Sequence, residues 1–249
     1  MPLGYAYAIP YIISMAYSYL HWDSDFFGKK IYKIDSFAEI LAEDWDTVIK
    51  EQPDLIYCAI ENPTLATIEF MKKQGAILYD KKVQFYKSDF NAETAVNNDF
   101  HCESTTILTE ELESMVYQSG AFSRFKLDPH LSFKFKDLYK EWILGSLNRR
   151  LADEVLIAID SEGKNAGFIT LSVKNGKGNI GLIAVNEQTR GKGVGKFLML
   201  QADRFFKEKQ ASEATVVTQL DNIPACRLYE KMGYIILKNE SIYHYYAKK

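Results

Sequence analysis

From residue 137 the apolar positions fall at helical spacing: Leu138, Tyr139, Trp142, Ile143 and Leu147 predict an amphipathic helix that ends near Asn148. The period then changes. Residues 154–160 are rich in Val and Ile, Ser161-Glu162-Gly163-Lys164 reverses the chain, and residues 167–174 return. Asn175-Gly176 makes the next turn, and residues 179–185 form the third strand of an antiparallel meander, because connections this short admit only hairpins. A glycine-bearing loop leads to a helix over 194–209, with Val194, Phe197, Leu198, Ala202 and Phe205 on one face. Residues 214–220 read as a β-branched strand. Asn222 can cap the helix that follows, Pro224 fits its first turn, Ala225, Leu228, Tyr229 and Met232 line one face, and Gly233 ends it. Two last strands are predicted, over 234–237 and 241–246.

The first half carries a faint copy of that ending. Residues 54–62 set a strand before an acidic-Asn pair, as residues 214–222 do, and a helix follows each. Met71-Lys72-Lys73-Gln74-Gly75-Ala76-Ile77-Leu78 parallels Tyr229-Glu230-Lys231-Met232-Gly233-Tyr234-Ile235-Ile236, and an aromatic-rich strand closes each copy, 83–86 against 241–246. This pattern reads as an internal duplication. The first copy has no glycine loop and has Met71 where the second has Tyr229, so chemistry is expected in the second half.

Composition narrows the partners. The 249 residues are 47% hydrophobic, enough for a sizeable core in one large or two ordinary domains. Net charge is −3 and the cations are scattered in short pairs, which argues against a nucleic-acid partner. Cys58, Cys102 and Cys226 are widely spaced and the four histidines are scattered, so neither a disulfide framework nor a metal pattern emerges, and a cytoplasmic setting is expected. The first twenty residues are apolar, yet they lack a basic start and a small-residue cleavage site, and Gly4, Pro10 and five tyrosines interrupt them. Neither a signal nor a membrane anchor is expected; residues 1–14 read as an extension, with Met15 as an alternative start.

The strongest chemical pattern is Arg190-Gly191-Lys192-Gly193-Val194-Gly195, between a strand and a helix. Successive glycines let backbone N–H groups converge, the helix start adds its dipole, and Arg190 and Lys192 add charge, which suits a diphosphate. A P-loop is excluded because Phe197 follows Lys196 where a hydroxyl residue belongs. A dinucleotide fingerprint is excluded because the preceding strand ends an antiparallel meander.

The run Ile183-Ala184-Val185 through Arg190-x-x-Gly193-x-Gly195, followed by Asn222-x-x-Ala225-x-x-Leu228-Tyr229-x-x-x-Gly233-Tyr234, resembles the GNAT superfamily of acetyltransferases over residues 105–249. The resemblance implies an α/β (α+β) GNAT fold, a mixed and mostly antiparallel central sheet flanked by helices, with acetyl-CoA as cosubstrate and no metal. It implies a catalytic domain over 101–249 and a reduced GNAT-like domain over 1–100. By the same resemblance Ile183, Ala184 and Val185 supply a strand edge to pantetheine, and Arg190, Gly191, Lys192, Gly193, Val194, Gly195 and Lys196 cradle the diphosphate. Asn222 holds the pantetheine, and Tyr229 is the general acid that protonates the leaving thiolate. A phenol of pKa about 10 is protonated at neutral pH and suits that role. No general base is visible: the strand before the loop has no carboxylate, and Glu187 lies beyond it.

A narrower resemblance rests on Trp22-Asp23-Ser24-Asp25-Phe26-Phe27-Gly28 and on Ser123-Arg124-Phe125 with Asp128-Pro129. These look like TDP-fucosamine acetyltransferases and their relatives, which implies as acceptor the primary amine of a TDP-linked amino-deoxyhexose. Ser123, Arg124 and Phe125 are then expected in the site, where Arg can engage a phosphate and Phe can stack on a ring. Packing between the halves is the simpler role for Trp22, Phe26 and Phe27. The alternatives are the same transfer to another amine (a protein amino terminus, a polyamine or an antibiotic) or a non-catalytic acyl-CoA-binding module. A homodimer stays open.

Overall fold

The structure, a computed structural model, describes residues 16–37, 39–40, 42–90 and 99–247, so the expectations for residues 1–14 and Met15 fall outside it. The chain divides into two units: one holds the described residues up to Ile77 and from Tyr243 onward, the other holds Leu78–Ile242.

In the first unit β1 (Ala16–Tyr19) leads through a short helix, α1 (His21–Phe27), into β2 (Ile31–Phe37). The stretch Trp22–Gly28 is this helix and its cap. Gly28 takes φ 63° and donates its N–H to the Ser24 carbonyl, Ser24 Oγ accepts from Ile31 N–H at 3.0 Å, and Trp22 stacks on Phe26. β1 and β2 pair antiparallel, whereas β2 pairs parallel with β3 (Leu55–Glu61), a connection made by α2 (Ala42–Lys50). β3 is an unbroken apolar run, buried from Leu55 to Ile60 as a strand covered on both faces should be. Tyr32, Ile34, Trp45, Val48, Ile56, Cys58, Ile60, Met71 and Tyr243 form the core. α3 (Leu65–Gln74) begins on Thr64, whose hydroxyl accepts from Thr67 N–H, and ends at Gly75 with φ 80°.

The second unit is built on β4 (Ile77–Lys87), β5 (Phe100–Ser104), β6 (Glu154–Asp160), β7 (Asn165–Lys174), β8 (Lys177–Val185) and β9 (Glu213–Gln219), in the spatial order β4-β9-β8-β7-β6-β5. Only β8 and β9 pair parallel; the other four pairings are antiparallel, so the sheet is mixed and mostly antiparallel. Between β5 and β6 run α4 (Glu110–Ser119), a single turn, α5 (Arg124–Leu127), and α6 (Phe135–Leu147). α7 (Val194–Glu208) follows β8 and α8 (Ile223–Lys231) follows β9. Val194, Phe197, Leu198, Ala202 and Phe206 of α7 and Tyr229 of α8 join Ile169, Leu171, Ile180, Val216 and Phe85 of the sheet in one core. Among the described residues no helix is long and apolar enough to cross a membrane.

The strands expected over 234–237 and 241–246 are one strand, β10 (Ile235–Tyr246). The intervening Lys238-Asn239-Glu240 contains no Gly or Pro to turn the chain, and Glu240 is drawn in between Lys82 at 2.9 Å and Lys238 at 3.0 Å. β10 starts in the second unit, and its residues from Tyr243 belong to the first. The second unit begins at Leu78, as β4 hydrogen-bonds along β9 from Lys82↔Gln219 to Lys87↔Ala214. The closing strand of the first strand-helix-strand repeat is thus built into the second unit.

Candidate active site

The parallel ladder between β8 and β9 is short. It runs from Lys177↔Glu213 to Ile180↔Val216 and stops, although both strands continue. Beyond that point β8 stays on β7 and β9 stays on β4, so the two strands diverge. A cavity of about 720 Å³ is lined by Gly181, Leu182, Ile183, Ala184 and Val185 on one side and by Val216, Val217, Thr218 and Gln219 on the other. That volume lies in the range of about 300–1,000 Å³ usual for ligand sites. Strand edges facing a split offer backbone N–H and C=O groups to an extended ligand, as they would to a further strand.

A bulge aims that edge. Ile169 pairs with Ile183 and Leu171 with Ile180, so Gly181 and Leu182 together oppose Thr170. The Thr170 hydroxyl accepts from Leu182 N–H at 2.8 Å, and a Cβ on Gly181 would lie 2.8 Å from that same oxygen. A side chain there would push the Thr170 hydroxyl off the Leu182 N–H. A glycine inside a strand pattern is the sequence sign of such a bulge, and it was open to reading in residues 179–185.

The glycine loop closes one end of the cavity. Asn186 Oδ1 accepts from Gln188 N–H, and Thr189 Oγ donates to the Ala166 carbonyl at 2.8 Å, tying the loop to β7. Gly191 and Gly193 take φ 80° and 89°, the left-handed region that glycine enters without strain, and Gly193 is the N-cap of α7. Arg190, Gly191, Gly193, Val194 and Gly195 line the cavity at the start of this four-turn helix, where free N–H groups and the dipole favour an anion. Arg190 lies 3.5 Å from Glu187 Oε1 and is exposed.

The family model of GNAT acetyltransferases matches residues 116–234, a segment that begins in α4 and contains the split, the loop, α7 and α8. This segment is a GNAT acetyltransferase domain. Over 142 residues, 57% of the chain, the sequence is 30% identical to the spore coat polysaccharide biosynthesis protein SpsD of Bacillus subtilis, and the match spans 48% of that relative's length. Two solved structures share the fold. A conserved protein of unknown function from Staphylococcus epidermidis gives a TM-score of 0.62 at 13% identity, with 88% of this chain and 85% of that one covered. A tandem GNAT protein from the clavulanic acid biosynthesis pathway gives 0.56 at 14% identity, with 88% and 76% covered.

Within the GNAT domain, Ile183, Ala184, Val185, Asn222, Tyr229, Ser123, Arg124 and Phe125 all line the one cavity. Lys192 and Lys196 do not. Both side chains are exposed, because the inward positions of this first turn are taken by Val194, Phe197 and Leu198. Asn222 is foremost a helix cap: its Oδ1 accepts from Ala225 N–H at 3.4 Å and its Nδ2 donates to Thr218 Oγ at 3.2 Å. A side-chain amide has two N–H hydrogens, which leaves one for a ligand.

Tyr229 is 2% exposed and packs edge-on against Phe85. Burial, with a smaller contribution from Cys226, holds its phenol above the ordinary tyrosine value, so the group is neutral at pH 7. Ser123 precedes α5, the Arg124 guanidinium lies 4.3 Å from the Phe125 ring centre, and Phe125 meets Trp142 edge-on.

Asp80 and Lys82 of β4, from the first half of the sequence, line the same cavity. Nothing local marked them. They reach the site because β4 pairs with the distant strand β9, with Lys82 opposite Gln219, and Asp80 and Lys82, two apart on a strand, share a face.

Proposed function

We propose that the chain transfers the acetyl group of acetyl-CoA to the primary amine of a TDP-linked amino-deoxyhexose, by direct attack and without a covalent enzyme intermediate. The observation that carries this reading is a single cavity bounded by the strand split and the glycine loop and also lined by Ser123, Arg124 and Phe125. In this reading the diphosphate of coenzyme A rests on the N–H groups of residues 191–195 with Arg190 beside it. The pantetheine arm pairs with 183–185, and the thioester is delivered toward Tyr229. Arg124 and the aromatic group of Phe125 and Trp142 suit a phosphorylated, ring-bearing acceptor. SpsD is a polysaccharide biosynthesis protein by its name, which agrees with a sugar acceptor.

The test compares kcat/KM for a TDP-linked amino-deoxyhexose with kcat/KM for the same sugar lacking its nucleotide. Remote binding energy used in the transition state makes the linked form preferred, by roughly a hundredfold if the nucleotide contributes about 3 kcal/mol. Equal values for the two sugars, or turnover confined to a polyamine or peptide amine, would remove the nucleotide sugar and leave transfer to another amine.

A further inference from the structure

We propose that Asp80 is the general base of the transfer, its carboxylate taking the proton of the acceptor's ammonium group in the cavity that also holds Tyr229. This rests on the N-acetyltransferase reading, though not on the identity of the acceptor.

Asp80 stands on β4 within the second unit, lines the cavity and is 6% exposed. The Gln219 side chain and the Arg124 backbone N–H hydrogen-bond its carboxylate, while Oδ1 is buried with no hydrogen-bond partner. An unpartnered buried carboxylate oxygen makes the charged form of Asp80 costly, which readies the group to take a proton. Among the cavity-lining side chains only Asp80 and Glu187 carry a carboxyl group, and Glu187 is exposed and turned toward Arg190. Tyr139 of α6 faces Asp80, and the groups that lower its carboxyl come from three further elements: Arg124 of α5, Gln219 of β9 and Lys82 of β4 itself. Burial raises its carboxyl and these partners lower it, and the balance is a group pushed up to about 6. Such a group is ionised at pH 7 yet basic enough to accept a proton.

The step balances. Asp80 takes one proton from R–NH3+ and later releases it to solvent. The freed amine attacks the thioester carbonyl carbon, forming the C–N bond as the carbonyl electrons move to oxygen. Collapse of the intermediate breaks the C–S bond, the thiolate takes the Tyr229 proton, and the second proton on nitrogen restores Tyr229.

The experiment measures kcat/KM against pH for the wild type, Asp80→Asn and Asp80→Glu, with acetyl-CoA affinity by calorimetry as control. The expected wild-type profile has an acidic limb near pH 6 beneath the limb of the acceptor amine. Asp80→Asn should lower kcat/KM by about a hundredfold or more at pH 7, lose the limb near 6, leave acetyl-CoA affinity unchanged and recover as pH approaches the amine's own pKa. Asp80→Glu should keep an acidic limb. A merely structural role would move none of these limbs. Folding is not at risk: a carboxyl raised in the folded state contributes stability below its unfolded value, near 4, that is lost as pH rises through 6. The Asn variant should therefore melt at or above the wild-type temperature at pH 8. Asp80→Asn turning over within threefold of wild type, with the limb near pH 6 intact, would overturn the assignment. If the TDP-linked sugar is not acetylated, the profiles are recorded on glucosamine or spermidine, so loss of the acceptor reading leaves the comparison standing. Release of coenzyme A with none of the three would overturn the acetyltransferase reading, and the role of Asp80 with it.

Discussion

Replacing Gly193 by aspartate is expected to abolish measurable acetyl-CoA binding while the protein stays folded. A carboxylate within about 5 Å of a phosphate, at an effective dielectric near 20, costs about 3 kcal/mol per charge pair, and a diphosphate presents more than one charge. Affinity should fall by at least roughly a hundredfold. The backbone at Gly193 sits at φ 89° and ψ 2° as the N-cap of α7. Aspartate is among the non-glycine residues that tolerate left-handed geometry best, at a cost of about 1–2 kcal/mol, and it is a favoured N-cap residue. The Gly193→Asn variant separates shape from charge. Calorimetric titration should find its affinity close to wild type, whereas equal loss in the Asn and Asp variants would mean that crowding, not repulsion, closes the loop.

The second large effect is expected at Tyr229. Tyr229→Phe removes one oxygen from a ring that stays against Phe85, so acetyl-CoA affinity should change little and stability by about 1 kcal/mol. Turnover should fall by about a hundredfold or more, because the hydroxyl acts on the sulfur only as the C–S bond breaks. The signature is a low kcat with an unchanged dissociation constant for acetyl-CoA. A Phe variant with wild-type kcat would make Tyr229 a core residue and nothing more.

Much of this site was legible because its framework is local. The strands at 154–160, 167–174 and 179–185 and the helices after the glycine loop and after Asn222 are set by hairpin turns, a cap and periodic apolar faces, and they lie within two residues of β6, β7, β8, α7 and α8. Gly193 and Tyr229 stood out through motif spacing alone. What escaped reading depends on distant pairing. The role of β4 at the site follows from its register with β9, which no local pattern near Asp80 encodes. The continuity of β10 follows from Glu240 being held by Lys82 of another strand, so a polar interruption that looks like a turn is carried straight through. α1, α2, α4 and α5 were not anticipated either; α5 is a single turn, too short to establish a period. Lys192 and Lys196 are exposed and outside the cavity lining, a placement that charge near a glycine loop does not reveal.

The most direct test of the account is the stoichiometry of the wild-type reaction with acetyl-CoA and a TDP-linked amino-deoxyhexose. Coenzyme A thiol is measured optically, and the acetylated amine by mass spectrometry. One molecule of N-acetylated sugar nucleotide per thiol released, with no thiol release when the amine is omitted, is the predicted result. Tight binding of acetyl-CoA with no acetyl group passed to this acceptor, to glucosamine or to spermidine would contradict it, and would make the split between β8 and β9 a binding site without transfer.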